Sequence, residues 1–465
     1  MKLIAPTSLV LALAAAFPAA AQSNAELLNE LRALRDRVVE LEKKLQAQPQ
    51  PGQWGMTPEQ ARELNRATMK AEATEDNLEM QGLKLFTISG YMDPAFIWNR
   101  AQDRAGFQFL NGVGDDGYAY DNGYIGNVAI DFTKETESGT RWKLTLIPSR
   151  GTDSVMTGSN RIVQEASVSV PLTDLQTRLI AGHIPDWSGY EYQQPTLNPF
   201  ITHNLLFDFT VPTAYTGVGI DHTSGKWWLR GMVANVNTSQ KGSGNKSPSF
   251  VGRVDYSRGE FEGWGAAMLL GKVANFSNNQ RGDGKDTMAA LFEVDGYFIR
   301  GDWTLQGQAT YGTHKKAAIV RDPVTLLERD ARWWGLSGLV GYQFTPRLQG
   351  LLRADYINNE KNGGGLFGYT GYWLPTQGVL GDSRNGIGVD GNLDCAGPVN
   401  RATPECNRGA NRYAVSLGMK YLFDMNTTLK AEYRLDGADR AVFGYSDGSF
   451  RKTNNLFGAS VVVNF

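Results

Sequence analysis

The chain ends in FGASVVVNF, residues 457–465, and the reading of this stretch decides the fold. Successive side chains of an extended strand point to opposite faces. Phe457, Ala459, Val461, Val463 and Phe465 therefore share one face, which is wholly apolar; Gly458, Ser460, Val462 and Asn464 share the other, which is mostly small or polar. The same two-residue period runs through 411–437. There Tyr413, Val415, Leu417, Met419, Tyr421 and Phe423 alternate with Arg412, Ala414, Ser416, Gly418, Lys420 and Leu422. After a turn at 424–426, Leu429, Ala431, Tyr433 and Leu435 alternate with Lys430, Glu432, Arg434 and Asp436. The charges keep to one face throughout, so the other face needs an apolar surface along its whole length. A soluble sandwich would offer a core for it, and a membrane would offer lipid.

The opposite end of the chain separates these two solutions. Residues 1–21 carry a basic start at Lys2, an apolar run from Leu9 to Phe17, and the small residues Ala19, Ala20 and Ala21 ahead of Gln22. That is the layout of a secretory signal peptide. No later stretch reaches the roughly 18 apolar residues of a membrane helix, in keeping with a mean hydropathy of -0.34. An exported chain that crosses a membrane without such helices must cross as a closed barrel, because hydrocarbon offers no partner to a free backbone N–H or C=O. Low hydropathy suits a barrel, whose strands give only alternate residues to lipid. The net charge of -2 points away from nucleic acid as a partner.

Patterns of this kind mark about sixteen candidate strands from residue 85 onward, the first two at 85–99 and 123–135. Their connections alternate in length. Tight links at 173–175, 224–226, 301–302, 345–347 and 424–426 exchange with long ones at 100–122, 187–212, 315–329, 361–410 and 438–452. Outer-membrane barrels show this asymmetry, with short turns in the periplasm and long loops outside. Aromatics near strand ends, at Trp142, Trp303, Trp334, Tyr421 and Phe423, suit the two interfacial girdles. The fold class expected is all-β: a transmembrane antiparallel barrel over 84–465, in the outer membrane of a Gram-negative bacterium, with both barrel ends on the periplasmic side.

Ahead of the barrel, Leu27, Leu31, Leu34, Val38, Leu41 and Leu45 recur at spacings of four and three, the seam of a left-handed coiled coil within 22–48. With Leu31, Val38 and Leu45 at the a positions, Glu30 and Arg37 meet Arg35 and Glu42 as opposite charges across a parallel pair of chains. A parallel homo-oligomer held by a periplasmic stem is expected, with dimer and trimer both open. Residues 49–83 read as a linker with a weaker helix starting near Thr57 and Pro58. The only cysteines, Cys395 and Cys406, lie in a Gly, Asn and Pro-rich stretch of an exported chain, and a disulfide between them is expected.

The long connection 183–219 carries the most specific pattern. Tyr190-Glu191, Pro195, Asn198-Pro199-Phe200, Leu206-Phe207, Pro212 and Tyr215-Thr216-Gly217-Val218 resemble the matching region of OmpL-like β-barrel porins. There a glycine-aromatic-glutamate is followed by Asn-Pro and then by Thr-Gly-Val entering the next strand. The terminal strand, ending flush on Phe465, resembles the closing strand that outer-membrane barrels present to the barrel-assembly machinery. Signal peptide, stem and barrel together are similar to an uncharacterised group of proteobacterial porin-like proteins and to the general plan of phosphate-selective porins. The resemblance implies a porin set among outer-membrane lipids that passes small hydrophilic solutes, and it favours a trimer. It also implies that 183–219 folds into the lumen, placing Asp186, Glu191, His203 and Asp208 as candidate constriction groups; an external cap whose polar residues only meet water is the alternative.

Face assignment turns Arg141, Lys143, Arg253, Arg353, Arg412, Lys420, Lys430 and Arg434 inward, against Glu293, Asp295, Asp355 and Glu432 among the acids. Counted with the other inward acids, the signs nearly balance, so anion specificity of the phosphate type is not expected. The four histidines, at 183, 203, 222 and 314, come with no Cys/His cluster and no Gly-x-Ser-x-Gly elbow. No enzyme, metal site or cofactor is expected. The competing reading is a non-conducting barrel plugged by its own loops.

Overall fold

The computed structural model describes residues 32–33, 35–40, 43, 62–70, 72–73, 83–110, 125–147, 162–275, 284–359, 372–374, 379–381, 386–395, 397 and 399–465. From residue 86 the chain forms a closed antiparallel barrel of 16 strands. In order these are β1 (Phe86–Met92, resuming past a kink as Ala95–Asn99), β2 (Arg104–Gln108 and Val128–Glu135), β3 (Arg141–Leu146), β4 (Val163–Pro171), β5 (Thr177–Pro185), β6 (Ala214–Ser224), β7 (Trp227–Val236) and β8 (Ser249–Ser257). They continue as β9 (Glu262–Val273), β10 (Thr287–Arg300), β11 (Trp303–His314), β12 (Ala331–Thr345), β13 (Leu348–Asn358), β14 (Arg412–Leu422), β15 (Thr427–Ala438) and β16 (Thr453–Asn464). The last strand closes the ring, pairing Leu429↔Val461 on β15 and Trp98↔Phe457 on β1. Every other pair is a sequential hairpin, and with the closing pair no strand edge is left open to lipid.

The two faces are inverted relative to a soluble protein. Phe457, Val461, Tyr413, Val415, Leu417 and Met419 lie exposed on the outside, while Arg353, Arg412, Arg434, Glu432 and Asp436 are buried on the inside. Aromatic side chains gather at the strand ends. Trp227, Tyr256 and Trp264 pack together beside the short turns, as do Trp303, Tyr342 and Phe344; Trp334 and Tyr356 pair toward the long-loop end. Ring bodies packed this way border an apolar band, as interfacial residues do.

The sequence places the first long loop at 100–122, and here the structure differs. The chain turns tightly at 100–103 and runs down β2 to Gln108, and the same strand resumes at Val128. The cause lies on β1, where Pro94 offers no N–H to the ladder. Asp93 beside it accepts from the backbone N–H of Gly126 at 3.0 Å and of Asn127, which ties the returning chain to the gap. Alternation over 123–135 is therefore only the second half of a strand.

At the outer end, Cys395 and Cys406 are bonded, with Cα atoms 5.3 Å apart. They are buried with Ile387 and Val389 against Trp333 and other inward residues of the wall. Before the barrel, residues 35–40 and 62–70 are helical. Of the stem seam only Val38, half-buried, is described; Leu27, Leu31, Leu34, Leu41 and Leu45 lie outside the described residues, as does the signal segment. Among the described residues no helix is long and apolar enough to cross a membrane.

Candidate functional site

The segment 186–213 joins β5 to β6 but is held by the opposite wall. Its course can be followed from one anchor to the next. Arg253 on β8 donates to the Trp187 carbonyl at 2.7 Å, and Glu293 on β10 takes the Gly189 N–H at 2.8 Å. The Tyr190 hydroxyl meets Ser337 Oγ on β12 at 2.6 Å. Arg353 on β13 then donates to Glu191 at 2.9 Å, to the Thr202 carbonyl at 2.7 Å and to the His203 carbonyl at 2.9 Å. On β15, Lys430 donates to the carbonyls of Pro195 and Asn198, both at 2.6 Å; Glu432 accepts from the N–H groups of Ile201 and Thr202; and Arg434 donates to the His203 carbonyl at 2.6 Å. Ile201 finally packs on Leu456 of β16 and Ile97 of β1. The segment thus crosses the lumen from the fifth and sixth strands to the far wall.

These anchors explain the residue types in the segment. Gly189 takes φ +81° and lies so close to the wall that a Cβ there would stand 2.8 Å from Gln308 Oε1. Asn198 accepts from Tyr192 N–H at 2.9 Å, donates to the Tyr192 carbonyl, and contacts His203 Nε2 at 3.0 Å, closing a tight bend. Asn204 caps the short helix α1 (Leu205–Phe209) by accepting from the Phe207 N–H. The wall is shaped to match. A Cβ on Gly335 would lie 2.2 Å from Leu206 Cδ2, and one on Gly418 2.5 Å from Phe200 Cε1, so these inward glycines form the seat on which α1 and Phe200 rest.

The charges under the seat are almost fully excluded from water. Side chains of Arg353, Asp355, Glu191, Glu432, Arg434, Asp436 and Arg412 expose 0–1% of their surface. Burying an ion carries a desolvation penalty of several kcal/mol, offset only where charge partners and hydrogen bonds surround it. Here they do: Arg353 faces Glu191, Asp355 and Glu432, and Asp436 bridges Arg434 and Arg412. Toward the outer end the seat becomes apolar. Leu205, Leu206 and Phe209 pack with Met232, Val251, Leu269, Leu291 and Trp333 of the inner wall, and with Ile319, Val320, Ile387 and Val389 from two long loops.

The other half of the lumen is wet. On β2–β4 and β7–β8 the inward side chains keep water: Lys143 exposes 35%, beside Asp131 at 3.7 Å and Glu165 at 3.0 Å, and Asp255 exposes 25% beside Arg230 at 3.3 Å. Tyr192 projects from the crossing segment with 54% of its surface exposed, although Arg230, Arg253, Asp255 and Asp295 of the wall lie within electrostatic reach. It therefore faces water inside the barrel.

The four constriction candidates occupy the segment in a different role. Glu191, His203 and Asp208 are buried, not water-lining: Glu191 serves Arg353 and the Asn204 N–H, His203 stacks on Phe207 at 4.1 Å, and Asp208 lies within electrostatic reach of Arg434. Asp186 accepts from Ser188 and from the Tyr215 hydroxyl, and burial pushes its carboxyl up to about 6. Among the lumen charges, Arg353, Asp355, Arg412, Lys430, Glu432 and Arg434 hold the segment; Arg253, Glu293 and Asp295 hold its start; Lys143 and Lys420 point inward at the wetter levels, and Arg141 pairs with Glu135 at 2.8 Å near a short turn. Several residues with evident roles escape the sequence reading: Trp187, Tyr192, Thr202, Trp228 and Arg230. Alternation over 227–236 already puts Trp228 and Arg230 on the inward face with Met232, and that signal would have found two of them. Among the described residues no group of three His, Cys, Asp or Glu side chains is placed to hold a metal ion.

An inverted closed barrel with polar groups inside and a long segment folded into its lumen has the architecture of porin-like outer-membrane barrels. Within it, the chain belongs to the family described as "Protein of unknown function (DUF3138)", whose profile matches residues 57–465. The family shown is this one, not the OmpL-like porins that the 183–219 segment resembles. No curated protein matches the chain. Among solved structures it is similar to an anion-selective porin from Comamonas acidovorans (11% identity, TM-score 0.49, covering 82% of this chain and 99% of that one). It is also similar to OmpT, an outer membrane protein of Vibrio cholerae (10%, 0.49, 82% and 97%), and to OmpF of Salmonella typhi in complex with daunomycin (13%, 0.49, 82% and 97%).

Proposed function

We propose that the protein is an outer-membrane channel through which small hydrophilic solutes diffuse passively, along the wet half of a divided lumen. The observation that carries this reading is the inner wall around Lys143, Asp131, Glu165, Arg230 and Asp255, which is charged, inward-facing and accessible to water while the opposite half is packed dry. A polar wall with paired signs favours hydrated solutes of low net charge. The exposed aromatic band sits among outer-membrane lipids, Phe465 presents the last strand to the barrel-assembly machinery, and the stem gathers chains, as a trimer, in the periplasm. Planar-bilayer recording of the purified full-length chain tests the channel: ohmic steps are the outcome expected.

A second reading has its own support. The apolar core built by inward residues of β7–β12 with α1 and two long loops fills part of the outer half of the barrel. A plugged, non-conducting barrel would stay silent in the bilayer while remaining folded and heat-modifiable on a gel.

A further inference from the structure

The wet half contains a group of side chains that lies outside the dry seat. Arg230 on β7 lies over two indoles, its guanidinium carbon 3.8 Å from the Trp228 ring centroid and 5.0 Å from that of Trp187. Trp228 also donates from Nε1 to Asp221 at 2.6 Å, yet leaves 40% of its surface exposed on the inner wall. Asp255 sits beside Arg230 and Arg253, and the exposed ring of Tyr192, on the crossing segment, is within electrostatic reach of all three. Trp187 is fixed by its carbonyl bond to Arg253 and by edge-on packing against Tyr215 at 5.3 Å. The arrangement is therefore held in place before anything enters.

We propose that Tyr192, Trp228, Arg230 and Asp255 form a binding site for neutral pyranose sugars inside the barrel. Two guanidinium groups, Arg230 and Arg253, are matched by the carboxylates of Asp221, Asp255 and Asp295, so the group carries no positive excess to select an anion. What remains available is two exposed aromatic surfaces and planar polar edges that already have charge partners. Aromatic faces stack on the C–H faces of a pyranose, and paired Arg and Asp edges accept and donate to vicinal hydroxyls. A free cation approaching Trp228 meets the positive charge of Arg230 already lying over that ring, whereas a neutral polyhydroxylated ring stacks on the exposed part of Trp228 without that repulsion. The inference takes the wet half as the solute path and to that extent rests on the channel proposed above.

Two measurements on the full-length, detergent-folded protein keep the two ideas apart. Calorimetric titration with maltose reads binding without any need for conduction, and bilayer recording with and without maltose reads partial block of ion current. Trp228→Ala and Tyr192→Ala are each expected to weaken maltose binding about tenfold, equivalent to ~1.4 kcal/mol, while Trp228→Phe, which keeps a ring face, retains most of it; all three should stay heat-modifiable. Binding in a barrel that never conducts would overturn the channel and leave the site standing. Conduction without maltose binding, binding indifferent to both alanine variants, or binding of choline in preference to maltose would overturn the site.

Discussion

The two halves of the lumen are built from the same alphabet and reach opposite states. The wall of β12–β15 and the wall of β2–β4, with the charged levels of β7 and β8, both alternate outward apolar with inward charged residues, and both pair acids with bases. Under β12–β15 the backbone of the crossing segment supplies extra acceptors and donors, so Arg353, Lys430, Glu432 and Arg434 each gain partners beyond the wall and are buried. Under β2–β4 the described residues offer Lys143 two carboxylates, and 35% of its side chain stays exposed. Dryness is thus a property of what lies on the wall, not of the wall's composition.

The largest expected effect comes from removing the ion at the centre of the seat. Arg353→Met leaves Glu191, Asp355 and Glu432 buried without their shared cation, a loss of about 3–5 kcal/mol for a buried pair broken on one side. The segment should lift and the dry half become wet. Single-channel conductance is expected to rise severalfold and the thermal midpoint to fall; unchanged values for both would mean that the anchors do not hold the division.

Next in size is a pH effect at the point where the chain leaves β5 for the crossing. Because burial raises Asp186 to about 6 in the folded protein, the folded state binds more protons than the unfolded one between that value and the ordinary carboxylate range. Stability from this group therefore rises as pH falls through 6 and levels off below the unfolded value; two pKa units correspond to at most ~3 kcal/mol. The thermal midpoint of the native protein, measured relative to that of Asp186→Asn, should rise from pH 7.5 toward pH 5. A difference that does not change with pH would assign Asp186 no linked proton.

A smaller break targets the seat's shape. Gly418→Val puts a side chain where Phe200 now rests, within 2.5 Å of its Cε1 at the first carbon alone, and overpacking of this kind typically costs about 1–3 kcal/mol. Conductance should become noisy as the segment samples displaced positions. Gly338→Val, on the outward face with nothing within 4 Å of the added carbon, should leave the recording quiet.

Much of the barrel was legible because lipid enforces the two-residue period strand by strand, as in FGASVVVNF and Trp334–Phe344. The first hairpin was not, since Pro94 and Asp93 create a gap whose filling depends on a backbone about thirty residues away. The segment 183–219 was recognisable as special, but its acids were assigned to water. Alternation tells which way a strand residue points; it cannot tell that Arg353, Lys430 and Arg434 converge on the carbonyls of a loop, because those contacts join positions about 150 to 235 residues apart in the chain. Glu191 reads as a pore acid from its loop alone and as a buried anchor once β13 is opposite it.

The smallest effect on stability should accompany a clear effect on selectivity. Lys143→Glu sets a third carboxylate beside Asp131 and Glu165 in the wet half, where a side chain exposing 35% of its surface is screened by water. Water-screened ion pairs of this kind are each worth roughly 0–1 kcal/mol, so the thermal midpoint should fall only slightly. The local charge nonetheless changes by two in a narrow, low-dielectric tube, where field lines are focused along the path. The reversal potential in a salt gradient should shift toward cations. The matching change in the dry half, Lys430→Glu, should do the reverse: it leaves the carbonyls of Pro195 and Asn198 facing an anion, lowers the thermal midpoint sharply, and alters selectivity only through the loosened segment. If both variants behave alike, the lumen is not divided, and water reaches both walls equally.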